Sequence, residues 1–90
     1  MAPETLDGAV VLSYAIAAES FGKAEHPEGS VDEILYLAIA KYDDAQGYYL
    51  FACNKSWEVV GDLFYNNADD AIKDAERVYE TSPIQWTPIA

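Results

Sequence analysis

Residues 33–42 form a short segment that is apolar on both sides when it is read as an extended strand. Isoleucine, tyrosine and alanine alternate with leucine and isoleucine, so neither side offers a polar surface to water. A strand of this kind is covered on both faces or lies centrally in a sheet, although a buried helix is the competing interpretation. Residues 43–47 favour the strand, because they suit a hairpin turn in which Gly47 supplies a positive φ.

Three further segments predict strands beside this one. Residues 10–19 alternate with period two and carry their larger side chains on one side, although residues 15–19 also suit a helix. Residues 48–53 return after the hairpin turn, and residues 57–65 follow a second tight turn. Gly61 lies inside the last segment, which indicates a β-bulge or the close approach of another group.

The clearest helical signal lies in the C-terminal third of the chain. Asn67 is a good N-cap, and Asp69 and Asp70 suit the first turn of a helix, where the dipole favours negative charge. Apolar residues then recur at helical spacing as far as Tyr79. Residues 81–83, Thr-Ser-Pro, are predicted to end this amphipathic helix.

Together these elements predict an α+β fold, an antiparallel four-stranded meander with one C-terminal helix packed on one face (β-β-β-β-α). Residues 1–8 are expected as a short tail, residues 9–90 as a single domain, and residues 20–32 as a polar loop. One helix covers only one face of a sheet. The other face must be covered by the loop and the tail, by a second copy of the chain, or by a partner.

The charge of the chain narrows the classes of partner. Sixteen acidic and five basic residues give a net charge of −11, and an apolar content of 51% predicts a folded protein. Such a field repels nucleic acids and anionic membranes and attracts basic proteins, although solubility alone also explains it. The acidic N-terminus and the short apolar runs predict neither a signal peptide nor a membrane span. A lone cysteine fits a cytoplasmic protein without disulfides.

Few residues suit catalysis or metal binding. His26, the only histidine, is expected to be a solvated loop residue, and Cys53 is expected to be a buried structural thiol. One cysteine and one histidine cannot form a zinc site. The pairs Asp43–Asp44 and Asp69–Asp70 fit turn and capping roles better than calcium binding. We therefore expect a non-catalytic protein without a metal or cofactor.

A pattern of aromatic and acidic residues runs through the second half of the chain. An aromatic strand ends in Cys53, Trp57 lies in a turn, Asp62 lies in the next strand, and an acidic-capped helix precedes Trp86. Over residues 48–86 the chain resembles a class of small bacterial proteins, some of them similar to immunity proteins that neutralise toxins in bacterial competition. The resemblance implies that the protein binds a basic toxin, such as a nuclease, and masks its active site.

In this hypothesis acidic residues accelerate encounter and aromatic residues supply affinity. The candidate partner-binding residues are Asp43, Asp44, Glu58, Asp62, Asp69, Asp70, Asp74, Tyr49 and Trp57. The aromatic residues among them also suit ordinary packing between strands. Two alternatives stay open: a nucleic-acid-mimic inhibitor, and a homodimeric accessory domain that associates through the uncovered sheet face.

Overall fold

The computed structural model describes residues 2–17, 19–42, 46–79 and 84–89. Within these ranges the protein has an α+β fold with an antiparallel sheet and a C-terminal helix, as predicted. The elements are β1 (Thr5–Leu6), β2 (Ala9–Ile16), β3 (Gly22–Glu25), β4 (Val31–Ile34), β5 (Tyr36–Lys41), β6 (Tyr48–Cys53), β7 (Val59–Tyr65), α1 (Ala68–Val78) and β8 (Thr87–Pro88).

Six of these strands form the main sheet, in the order β1-β2-β5-β6-β7, with β8 also paired to β2. The strands β2, β5, β6 and β7 are antiparallel neighbours, so the predicted meander forms the centre of the sheet. The predicted number of four strands is wrong. The strands β1 and β8 have two residues each, too few to show a period-two pattern in the sequence.

A separate hairpin, β3–β4, occupies most of the segment that was predicted as a polar loop. Its β3 residues are mainly exposed, so they show no apolar alternation that would predict a strand. The predicted strand 33–42 is divided at Leu35, where the chain passes from this hairpin into the main sheet. The Leu35 N–H donates to the Cys53 carbonyl oxygen at 2.9 Å, which ties this crossing point to β6.

The β2 strand buries different residues from those that its pattern suggests. The register with β5 shifts between Val11 and Ser13, which marks a β-bulge. Val11 and Ala15 are buried, whereas the larger Leu12 and Ile16 are exposed. The buried residues keep odd numbers along the strand, and the bulge places Val11 and Ala15 in core clusters on opposite faces of the sheet.

The helix α1 begins as predicted, and its predicted apolar stripe packs on the sheet except at Val78, which is 39% exposed. The Asn67 side chain accepts from the Asp70 N–H at 2.8 Å, which confirms the N-cap. Ala71 and Ala75 are fully buried, and the helix lies against β6 and β7. The predicted stop at residues 81–83 lies outside the described residues. With 11 residues, α1 is too short to cross a membrane, and no longer apolar helix occurs in the described ranges.

The two faces of the main sheet carry different apolar clusters. On the side of α1, the helix-side core is mainly aliphatic and consists of Ala15, Ile34, Leu37, Ile39, Leu50, Ala52, Ala71, Ala75 and Ile84. On the opposite side, the aromatic-side core consists of Leu6, Ala9, Val11, Ala38, Ala40, Phe51 and Cys53. Half-buried side chains pack around this second cluster, namely Tyr36, Tyr42, Tyr49, Trp57, Val59 and Ile89.

The chain itself packs side chains over this second face, which is one of the three expected alternatives, although the contribution comes from the chain ends and not from residues 20–32. Small residues such as Ala38 and Ala40 leave room above the sheet for aromatic rings. Both ends of the chain contribute, because Leu6 is buried and Ile89 packs against the same cluster. The segment expected as a tail therefore supplies a strand and a core residue, and a second copy is not needed to cover this face.

Candidate protein-binding surface

The strand β7 forms one edge of the main sheet. Among the described residues it pairs only with β6. The register shifts opposite Ala52 and Cys53, so Val60 is an extra residue beside Gly61, which confirms the predicted bulge. The next residues, Asp62, Leu63 and Phe64, are all exposed, and the two apolar ones are 40% and 53% exposed. We call these three residues the open-edge patch.

The Phe64 ring is held in place although half of it is exposed. It packs edge-to-face on Tyr49, with ring centroids 5.4 Å apart. A Cβ atom at Gly47 would lie 2.3 Å from this ring, so the absence of a side chain at Gly47 makes room for Phe64. The freedom of Gly47 to take a positive φ, which was expected to suit a hairpin turn, is not used here, because its φ lies outside the left-handed region. Tyr49 itself is half-buried in the aromatic-side core.

A turn centred on Asn54 determines where β7 begins. Asn54 is 7% exposed, and its side-chain oxygen accepts from the backbone N–H groups of Ser56 and Glu58 at 2.9 and 3.1 Å. Its side-chain nitrogen donates to the carboxylates of Glu58 at 2.9 Å and Asp32 at 3.3 Å. The sequence predicts only a tight turn at this position. It does not predict the hydrogen bond between Asn54 and Asp32, because these two residues lie in distant segments.

His26 completes this hydrogen-bond network. Its Nε2 atom lies 2.8 Å from Asp32 Oδ2. His26 was expected to be a solvated loop residue, but its side chain has a partner within the chain. The hydrogen bonds from His26 and Asn54 hold the pKa of Asp32 below its ordinary value. A polar cleft of about 430 Å³ lies beside the network, lined by Asp32, Asn54 and Glu58 among others. No group of three histidine, cysteine or carboxylate side chains in the described ranges is placed to hold a metal ion.

Trp57 has its ring packed within the protein. Its φ is 61°, a left-handed conformation that costs a residue with a side chain about 1–2 kcal/mol. This conformation accompanies a flat stack on Tyr36, at 4.0 Å between centroids, and an edge contact with Tyr14 at 6.1 Å. The strand β7 therefore begins at Val59 rather than at Trp57. The predicted binding role of Trp57 stays a prediction.

At its other end, β7 is attached to α1 by Tyr65. The Tyr65 hydroxyl donates to Asp74 Oδ2 at 2.5 Å, and Arg77 Nε donates to Asp74 Oδ1 at 2.7 Å. These two bonds lower the pKa of Asp74, whereas burial and the bond to Asp74 raise the pKa of Tyr65. Asp74 is therefore already paired within the chain. Cys53 is fully buried, as predicted, and burial raises its pKa to about 12, which makes the thiol inert.

The predicted acidic residues fall into three groups. Glu58, Asp70 and Asp74 accept side-chain hydrogen bonds within the chain, the one to Asp70 coming from the N-cap residue Asn67. Asp62 and Asp69 are exposed, on β7 and at the start of α1. Asp43 and Asp44 lie outside the described residues. Within the described ranges, Asp32 and Asp74 are the acids that lie within 4.0 Å of a basic group, the partners being His26 and Arg77.

Among the residues that the structure describes, no lysine or arginine nitrogen therefore lies within 4.0 Å of the Asp62, Asp69 or Asp70 carboxylate. Asp62 lies within the patch, and the exposed acids of α1 follow shortly after the end of β7. Exposed aromatic and aliphatic side chains beside unpaired carboxylates can bind a surface of opposite charge. Comparison with protein families, curated proteins and solved structures finds no match to this chain.

Proposed function

We propose that this protein is a non-catalytic binding module whose partner is a basic protein, bound at the open-edge patch. The carrying observation is the exposure of Leu63 and Phe64 beside Asp62, whose carboxylate has no lysine or arginine nitrogen within 4.0 Å among the described residues. Apolar side chains supply affinity when they are buried by a partner, and unpaired carboxylates accelerate the encounter with a basic surface.

The packing of Phe64 supports this proposal. Its ring packs edge-to-face on Tyr49 and lies over the space left by Gly47, so binding should cost less rotamer entropy than it does for a side chain without such contacts. Aromatic anchors that are ordered before binding are typical of interface hot spots. Asp69 and Asp70 add negative charge beyond the end of β7 without contributing to the core.

The narrower form of the proposal is an immunity protein that neutralises a basic, nuclease-like toxin. It is supported by the resemblance of residues 48–86 to small bacterial proteins of that type. If a neighbouring gene encodes a toxic domain, co-expression with that domain tests this form. Growth should be rescued by the native chain and lost with Phe64→Ala, and unchanged killing in the presence of the native chain would contradict it.

The general form is tested by the salt dependence of association. A partner is isolated from cells that make the protein, and its association rate with the native chain is measured between ~0.01 and ~0.15 M salt. This rate should fall about tenfold or more as the salt concentration rises. Asp62→Lys should reduce the rate at low salt. Glu4→Lys makes the same charge change at an exposed residue beside the opposite sheet edge and is the matched control. A rate independent of salt, or equal effects of both variants, would refute the proposal.

A further inference from the structure

We infer that the basic partner engages β7 by strand addition: an extended segment carrying lysine or arginine pairs with β7 as a further strand of the main sheet. This inference rests on the proposed function and names the binding mode and the chemistry of the segment. It follows from three properties of β7: the direction of its backbone groups, the absence of most features that protect sheet edges, and its negative charge.

The direction of the β6 backbone groups follows from two hydrogen bonds at its end. The Cys53 carbonyl oxygen accepts from Leu35 at 2.9 Å, on the side of β5. The Asn54 N–H donates to the Glu58 carbonyl oxygen at 3.1 Å, on the side of β7. Because backbone groups alternate along a strand, Ala52 and Leu50 also direct their N–H and C=O groups toward β7.

The register then identifies the unpaired groups of β7. Leu50 lies opposite Leu63 and Ala52 lies opposite Gly61, so Leu63 and Gly61 direct their backbone groups toward β6. Asp62, between them, directs its N–H and C=O away from the sheet, and so does Phe64. Beyond the sheet ladders, neither residue makes a backbone hydrogen bond to any part of the chain that the structure describes. These groups are available to an added strand.

The β7 edge lacks most of the features that prevent strand addition. Proteins protect exposed edges with lysine, proline, bulges or a covering segment. The residues of β7 include neither lysine nor proline, and the bulge at Val60 leaves residues 61–65 in regular register with β6. Its one charged side chain is Asp62. The edge therefore repels acidic strands, but it admits a strand that carries positive charge.

Charge also decides between a basic segment and a second copy of this chain. Pairing β7 with the β7 of another copy brings two chains of net charge −11 together and, in the register symmetric about Asp62, places two Asp62 side chains opposite each other. Like charges across strands are destabilising. A basic side chain opposite Asp62 is favourable, and its aliphatic part can lie against Phe64 on the same face. Leu63 on the other face favours an apolar residue. The preferred segment therefore alternates basic and apolar residues.

The test uses a capped peptide in which lysine and valine alternate, with a control peptide in which glutamate replaces lysine. Hydrogen exchange of single amides is followed by NMR in the native protein. We expect the lysine peptide to slow exchange of the Asp62 and Phe64 amides roughly tenfold or more, because they become hydrogen-bonded. The Gly61 and Leu63 amides, already paired with β6, should change little. Equal protection by the glutamate peptide would refute the basic character of the segment.

Two variants separate charge from backbone pairing. Asp62→Asn removes the charge, and Asp62→Pro removes both the charge and the outward N–H, which an edge strand tolerates. Asp62→Asn should weaken peptide binding several-fold and keep the protection at Phe64, whereas Asp62→Pro should abolish binding while circular dichroism stays native. If the Asp62 amide of the native protein is already protected from exchange without peptide, its N–H pairs within the chain, and the inference is overturned.

The remaining outcomes distinguish this inference from the proposed function. Failure of the lysine peptide to bind, or binding without protection of Asp62 and Phe64, overturns strand addition. The salt-dependent association of the partner would then still support the proposed function, and its absence would refute that function independently. Without peptide, protection of these amides could grow with protein concentration, and sedimentation could show a dimer. That result would show that a second copy occupies the edge and would overturn the assignment of a basic segment to β7.

Discussion

The two edges of the main sheet end in different ways. At the β2 edge, β1 and β8 pair with β2 from opposite ends of the chain, and Glu4 and Ile89 add backbone hydrogen bonds of 2.9 Å to Val11 and Leu12. At the β7 edge, no further strand is present in the described ranges. The comparison shows that the two chain ends close one edge, and that no described residue closes the opposite edge.

Burial explains why the short strands are stable at the closed edge. Leu6 is 7% exposed in the aromatic-side core, and Ile89 packs against the same cluster. Isolated two-residue strands have few hydrogen bonds, so these apolar contacts supply most of their stability. Pro88, which has no N–H, is tolerated in an outermost strand.

The open edge depends instead on side-chain contacts at its ends. Asn54 holds the turn before β7, the Tyr65–Asp74 hydrogen bond ties its end to α1, and Gly47 makes room for Phe64. These contacts keep β7 ordered without a second neighbouring strand. They include carboxylates, so the open edge should be more sensitive to pH than the closed edge.

The largest expected effect compares one leucine at each edge. Leu6→Ala should lower the free energy of unfolding by about 2–4 kcal/mol, because a buried side chain leaves a cavity. Leu63→Ala should cost about 1 kcal/mol or less, because this residue is 40% exposed. Urea unfolding of both variants measures the difference. Equal losses would show that the open edge is packed as firmly as the closed one.

An intermediate effect concerns the fit between Gly47 and Phe64. Gly47→Ala places a methyl group in the space of the Phe64 ring and should destabilise the protein by about 1–3 kcal/mol. In the double variant Gly47→Ala, Phe64→Ala this cost should largely disappear, because the clashing ring is gone. Thermal unfolding of the two single variants and the double variant measures the coupling. Additive effects would contradict the close approach.

The smallest effect is a dependence on pH at the end of β7. Because the pKa of Asp74 is lowered in the folded protein, its contribution is present above the ordinary carboxyl value and is lost as pH falls through the folded value. Asp74→Asn should therefore make the loss of stability below about pH 4 less steep. Asp69→Asn, on the same helix but without the Tyr65 bond, is the control. Urea midpoints across the acid range that fall equally steeply in Asp74→Asn and the native chain would disprove this.

Local patterns predicted the elements that have strong signals of their own. The strand 48–53 was predicted with its observed bounds. The cap at Asn67 follows from the type of its side chain, and the buried face of α1 follows from helical periodicity. The exposed hairpin β3–β4 and the short strands β1 and β8 were missed. Their side chains do not alternate between core and water, and partners distant in the sequence determine their pairing.

Most of the candidate surface could not have been predicted from the sequence. Asp62 was a candidate because of its charge, but nothing in the pattern distinguished it from Asp74, which is paired with Tyr65 and Arg77. Leu63 and Phe64 look like core residues in the sequence, because alternation shows which side chains share a face and not which strand is outermost. Asn54 and Gly47 have their roles through contacts with other parts of the chain.

The sequence by itself determined the α+β class, the antiparallel centre of the sheet, the capped helix and the strongly acidic charge, because these depend on local periodicity and composition. The tertiary structure decided that aromatic rings and the chain ends cover the second face, and that β7 stays at an open edge. The physical reason is that burial and strand order arise from contacts between segments far apart in the chain. Because of these contacts, the proposal of a partner rests on β7 and its outward backbone groups rather than on an uncovered sheet face.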